Sequence, residues 1–272
     1  MDTPSLKKTV IIRYFRNRNL ILLMLLCILL GRSTAYAYML TPQYAGIYLN
    51  GDGANSRWVQ VVDGWRGPTY GSETWGTGIW SLADQALVLG LESGNPDVIQ
   101  VYTAPVPQIN FGDQRFINEW GTSWSTPQLA PIFNNTVGEY QDNWGSRFWG
   151  YIAITTPGAY NFGILYDDGF QFALHGAGGN SLGLHRDGLN SRDRLGFDED
   201  LHLTEGLYAY SLDAYERLEA GVVQLAWWKP GANDWALLPR EHLFTRAVAE
   251  PATTLLIAIG LAALGWRRHT KR

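Results

Sequence analysis

Two adjacent aspartates followed by glycine, Asp167-Asp168-Gly169, pose the most direct chemical question in this 272-residue chain. Neighbouring side chains on an extended strand point to opposite faces, so both carboxylates converge only where the backbone turns. Converged carboxylates repel each other unless a proton or a cation neutralises them. Calcium suits that need, because it accepts carboxylate, amide and main-chain oxygen together at ~2.3–2.6 Å. The same tripeptide has a second reading. Asp tolerates turn conformations and bonds its own backbone, and Gly supplies positive φ, so the motif can simply shape a turn.

Other residues with chemical potential fall into weaker patterns. His175, His185 and His202 show neither HxH nor HExxH spacing and read as surface or core histidines. Asp198-Glu199-Asp200 and Arg192-Asp193-Arg194 read as solvated loop charges, without the sixth-position glycine of an EF-hand loop. Asn134-Asn135-Thr136 is a glycosylation sequon. Cys27 is the single cysteine, which excludes disulfides and cysteine metal sites. No G-x-S-x-G elbow or phosphate loop is present. A glycosidase needs two carboxylates facing each other across a cleft, and an acid-rich chain meets that pattern by chance. The expectation is a protein that is not an enzyme.

The elements that position these residues read as all-β. Helical apolar rhythm is scarce, and short aromatic-rich or alternating runs recur between Gly, Asn, Asp and Pro clusters. They are Arg57–Val62, Phe148–Thr155, Ala159–Tyr166, Phe170–Leu174, Leu207–Leu212 and Val222–Trp228. Such strands can build a core without cystines, since each buried aromatic contributes roughly 150–250 Å². Ser81–Leu91 is the best helix, with Ser81 as N-cap and Asp84 three residues on. A soft boundary falls at Asn95-Pro96-Asp97, dividing a Gly/Trp-rich section, 38–96, from the main β-domain, 97–246. The tryptophans of the first section read as core fillers ahead of sugar-stacking platforms.

Both chain ends read as addresses. Residues 20–30, LILLMLLCILL, follow a basic stretch and precede Ala35-Tyr36-Ala37, the order of a secretory signal peptide spanning 1–37. The C-terminal apolar run Ala252–Trp266 ends in four basic residues, and at ~1.5 Å per residue it is too short for a ~30 Å hydrocarbon core. With Ala249-Glu250-Pro251 in front, residues 247–272 resemble the PEP-CTERM sorting signal of Gram-negative bacteria, although the first proline of Pro-Glu-Pro is missing. That resemblance implies processing by signal peptidase and exosortase, and placement at the cell surface or in the extracellular matrix. It confines membrane contact to a removable tail; the alternative is a retained transmembrane anchor. Six of the 21 basic residues precede position 38 and four follow Trp266, which leaves eleven against 24 acidic residues between them, a net charge of −13. That surface repels phosphate backbones and excludes nucleic acid as a partner.

The second half carries a further resemblance. Trp149-Gly150-Tyr151-Ile152, Thr156-Pro157-Gly158-Ala159-Tyr160, Tyr166-Asp167-Asp168-Gly169-Phe170, Leu203-Thr204-Glu205-Gly206-Leu207-Tyr208 and Leu225-Ala226-Trp227-Trp228-Lys229-Pro230-Gly231 follow in order. The series is similar to the protective-antigen-type (PA-fourteen) module of bacterial glycosidases and yeast adhesins. The clear match covers roughly 148–244. The resemblance implies an antiparallel β-sandwich of jelly-roll character. It implies calcium held by an Asp-Asp pair joined through a cis peptide, with an asparagine and main-chain carbonyls from a later loop. Gly231-Ala232-Asn233-Asp234-Trp235 would be that loop, with Asn233 as third ligand, Asp234 as substitute and Trp235 stacking on a sugar ring. The implied function is a calcium-dependent carbohydrate-binding, lectin- or adhesin-like module whose partner is an extracellular polysaccharide or glycan. The alternative is a structural biofilm or matrix protein that uses the β-domain for protein contacts.

Overall fold

The structure, a computed structural model, describes residues 39–46, 50–70, 76–120, 124–133 and 141–247. The signal peptide, the sequon and all but the first residue of the sorting tail lie outside the described residues. Among the described residues no helix is long and apolar enough to cross a membrane.

The strands in chain order are β1 (Met39–Leu40), β2 (Asn55–Val61), β3 (Val98–Thr103), β4 (Asn110–Gly112), β5 (Gln128–Leu129), β6 (Trp144–Ile154), β7 (Gly158–Asp167) and β8 (Gly169–His175). They continue as β9 (Ser181–Arg186), β10 (Asp193–Gly196), β11 (Leu201–Leu203), β12 (Gly206–Glu216), β13 (Val222–Trp228), β14 (Ala236–Leu237) and β15 (Leu243–Phe244). One sheet runs β1-β11-β7-β13-β4-β5, with β10 also on β7 and β14 on β13. The other runs β3-β2-β6-β12-β8-β9, with β15 on β6. Pairing is antiparallel except for β1 with β11 and β4 with β5. The protein is an all-β sandwich, as the strand pattern predicts.

Aromatic side chains join the two layers. Trp58 of β2 meets Phe111 of β4 edge-on at 5.5 Å, and meets Trp144 and Phe148 of β6 at 5.3 Å each. Further along, Phe162 of β7 packs on Phe172 of β8, and Tyr166 on Phe170. These rings are all buried. Alternation drives the arrangement: β6 turns every second residue from Ser146 to Ile152 inward and leaves Arg147 and Trp149 exposed.

Helix α1 (Leu82–Val88) forms where the sequence predicts it, with Ser81 Oγ accepting from the Asp84 amide at 3.2 Å. It packs on β6, β12 and β2. Helix α2 (Gln114–Glu119), capped by Asp113, is an element the sequence reading does not anticipate. The boundary read at 96–97 falls between two strands, β2 and β3, that pair in the second sheet. β2 lies inside the second sheet between β3 and β6, and Trp58 lies in the main core. β2, from the section before the boundary, pairs with β6 along Asn55–Gln60.

Candidate functional site

β7 ends at Asp167 and β8 begins at Gly169, so Asp167-Asp168-Gly169 is the turn by which the chain passes from one sheet to the other. The Asp167–Asp168 peptide is cis. The Asp168 amide donates to Tyr215 O at 2.9 Å, and its Oδ2 accepts from the Arg217 amide at 2.9 Å, which fastens Asp168 to the end of β12. Asp167 Oδ2 accepts from the Arg192 amide at 3.0 Å. Gly169 is required for space and not for a left-handed backbone: a Cβ there would stand 2.5 Å from Tyr215 Cζ. The Tyr215 hydroxyl in turn bonds Gly188 O at 2.9 Å and Asp187 Oδ1 at 3.1 Å. The loop after β9 is thereby held against the turn.

Burial dominates the electrostatics here. It pushes the Asp167 carboxyl up to about 8, with repulsion from Asp168 adding to the rise. Burial also lifts Asp168 to about 7, against the lowering effect of the Arg217 amide and charge.

Several strand termini from both sheets bring further acids to the same end. Asp113 follows β4 and caps α2, accepting from the Phe116 amide at 2.6 Å and also from the Gly221 amide. Asp142 precedes β6, and Glu216 ends β12. Burial pushes Asp113 and Asp142 each up to about 6, and raises Glu216 well above the ordinary carboxylate range. Segment 217–221 runs across this end. Beside it lies a cavity of about 520 Å³, with Gln114, Arg115, Asn118, Asp142 and Glu219 in its lining. Sequence reasoning missed Asp113, Asp142 and Glu216. Each looks ordinary alone, and only strand register collects them.

The register also shows where the expected third ligand lies. β13 starts beside Asp167, with Val222 opposite it, and ends with Trp228 opposite Asn161. Segment 229–235 follows that far end, about 20 Å away at ~3.3 Å per residue. Asn233 and Asp234 therefore do not join Asp167 and Asp168; both are exposed, and Asp234 Oδ1 accepts from the Trp235 amide at 2.7 Å. Trp235 is half-buried. Its ring covers Gly163, where a Cβ would lie 2.8 Å away, and stacks on Trp124 at 5.9 Å. That ring lies over the outside of the sheet.

Among the described residues no three His, Cys, Asp or Glu side chains stand together as a metal-holding group. The donors around the turn are oxygens, the chemistry that calcium accepts, and main-chain oxygen and water would have to complete its shell.

No protein-family model matches the sequence, and no curated protein is significantly similar to it. Several solved structures are similar in form. The PA14 domain of the MpAFP antifreeze protein aligns at 16% identity and a TM-score of 0.46, covering 75% of this chain and 96% of that one. A PA14 sugar-binding domain from an RTX adhesin aligns at 13% identity and a TM-score of 0.45, covering 71% and 98%. The A domain of epithelial adhesin 6 from Candida glabrata, in complex with Galβ1-3GlcNAc, aligns at 15% identity and 0.46, covering 78% and 93%.

Proposed function

We propose that this protein is an exported carbohydrate-binding module of the cell surface or extracellular matrix, and that a calcium ion held by Asp167 and Asp168 is part of its binding site. One observation carries the reading. Two adjacent carboxylates are gathered at one end of the sandwich, and main-chain amides of two other segments hold them there. Burial and mutual repulsion disfavour both charges, and a cation relieves both at once. Calcium, when bound, would offer open coordination positions to neutral sugar hydroxyls. The chain's own part is to fix the pair: Arg192 and Arg217 orient the carboxylates through their amides, and Tyr215 secures the neighbouring loop. The surplus of acid disfavours anionic partners, so the glycan class is neutral. The reading includes no catalytic residues.

A glycan array or polysaccharide pull-down, run with calcium and with EDTA, tests it. Binding should require calcium and be lost in Asp168→Ala. Binding that ignores both EDTA and the substitution removes the calcium mechanism. Absence of any glycan binding favours a structural matrix protein.

A further inference from the structure

A second cavity opens at the end of β8 away from the Asp167–Asp168 turn. β8 starts at that turn and ends at His175, about 20 Å on at ~3.3 Å per residue. The cavity holds about 490 Å³ and is lined by Gln43, Tyr44, His175, Asn180 and the glycine-rich bend between the last two. Small-molecule sites run to roughly 300–1,000 Å³. Strand register builds one side of it. His175 pairs with Ala209 of β12, and Ala209 pairs with Tyr151 of β6, so the three share the outer face of the second sheet. Ala209 is the small member of that row, and the imidazole and the Tyr151 ring stand on either side of it.

Main-chain hydrogen bonds fix the walls. The Ala177 amide donates to Thr41 O at 2.9 Å, and the Gly176 amide donates to Asn180 O at 2.8 Å. The Gln43 amide donates to Leu207 O at 2.9 Å, and the Leu207 amide donates back to Tyr44 O at 2.8 Å. Gly178 and Gly179 carry φ of +70° and +78°, left-handed values that residues with a Cβ rarely adopt, and a Cβ at 179 would meet nothing within 4 Å. Glycine here serves the bend and leaves bare main chain facing open space. Tyr44 is 44% exposed, and its ring stands edge-to-face with Tyr151 at 5.8 Å.

None of the described residues lining this cavity is Asp, Glu, Lys or Arg, whereas Arg115, Asp142 and Glu219 line the cavity beside α2. The Gln43 and Asn180 amides each donate and accept, as does the Tyr44 hydroxyl. A ligand matched to that set is uncharged, and its polar groups both donate and accept. Hydroxyls around a ring meet the requirement, and the C–H face of the same ring can lie on an aromatic side chain. We propose that this cavity is a second saccharide site, for a neutral pyranose, that works without a cation. It goes beyond the calcium reading, since it shares no residue with the Asp167–Asp168 turn. A single open pocket of this kind holds one sugar on the order of millimolar, too weakly to survive the washes of an array or pull-down.

The test uses the purified full-length chain, labelled with 15N, in EDTA so that the turn holds no calcium. The probes are the methyl glycosides of glucose, galactose and mannose at millimolar concentration. At least one should shift the amide resonances of Tyr44 and residues 176–180 along saturable curves. Tyr44→Ala should weaken that binding about tenfold or more, and Tyr44→Phe, which keeps the ring, should restore most of it. The absence of a saturable shift at 176–180 with all three glycosides overturns the inference, as does equal binding by wild type and Tyr44→Ala. Should Tyr44→Ala not fold, Asn180→Ala, at an exposed position, takes its place with the same expectation. Glycan binding that appears only with calcium and leaves 176–180 unmoved overturns this site and leaves the calcium reading. Shifts at 176–180 in EDTA, with none added at the turn by calcium, do the reverse.

Discussion

The amide of Arg217 donates to Asp168 Oδ2 at 2.9 Å, so the start of the crossing segment and the turn between the sheets are held by one hydrogen bond. Asp168→Ala strands that buried amide, and the loss should be about 1–3 kcal/mol of stability. Asp168→Asn keeps an acceptor and removes a charge, so it should melt at or above wild type in EDTA. With calcium bound at the turn as proposed, wild type should melt higher than in EDTA, and both variants should lose that rise. Equal melting of the two variants in EDTA would show that the bond contributes little.

Stability should fall as pH rises from about 4 to 6. Burial pushes Asp113 and Asp142 from an ordinary 3.8 up to about 6, with Asp63 also repelling Asp142. The folded state then holds protons that the unfolded state has released, so this contribution is fully present below 3.8 and is lost as pH passes through about 6. Denaturant melts across that window, in EDTA, should show the decline, and Asp142→Asn should make it shallower. A slope unaltered in Asp142→Asn would assign the decline to other groups.

Trp235→Ala and Asn233→Ala separate the two ends of β13. Trp235 covers Gly163 and Gly196 and stacks on Trp124, so its loss should cost about 1–3 kcal/mol through lost apolar burial. Asn233 is exposed at the far end, and its substitution should leave calcium affinity unaltered in a calorimetric titration. A weakened affinity in Asn233→Ala would mean that the loop reaches the turn after all.

Gly221→Ala should destabilise by about 1–3 kcal/mol, because the added methyl would stand 2.5 Å from Glu216 Cγ and 2.6 Å from Trp144 Cζ2, and both are buried. Urea unfolding checks this. A neutral result would show that Glu216 can move aside.

The strands were legible because alternation and aromatic content are local properties. Val222–Trp228 and Phe170–Leu174 appear with boundaries within a residue of those read from sequence. Helix α1 was legible through its Ser81 cap, while α2 is a short turn of helix with only Phe116 buried and no apolar rhythm to betray it. The Asp pair stood out because its members adjoin. Asp113, Asp142 and Glu216 reach the same end through the register of β4, β6 and β12, which no spacing in the sequence encodes. Asn233 illustrates the converse: motif order alone does not say that β13 carries the chain away from Asp167.

The turn at Asp167-Asp168-Gly169 belongs to both layers, since β7 lies in one sheet and β8 in the other, and Asp168 is bonded to β12. Loosening it therefore cannot be confined to one layer. In hydrogen exchange, the amides of Tyr166 and Phe170 should open together with those at the end of β12, so that this end of the sandwich releases as one cooperative unit.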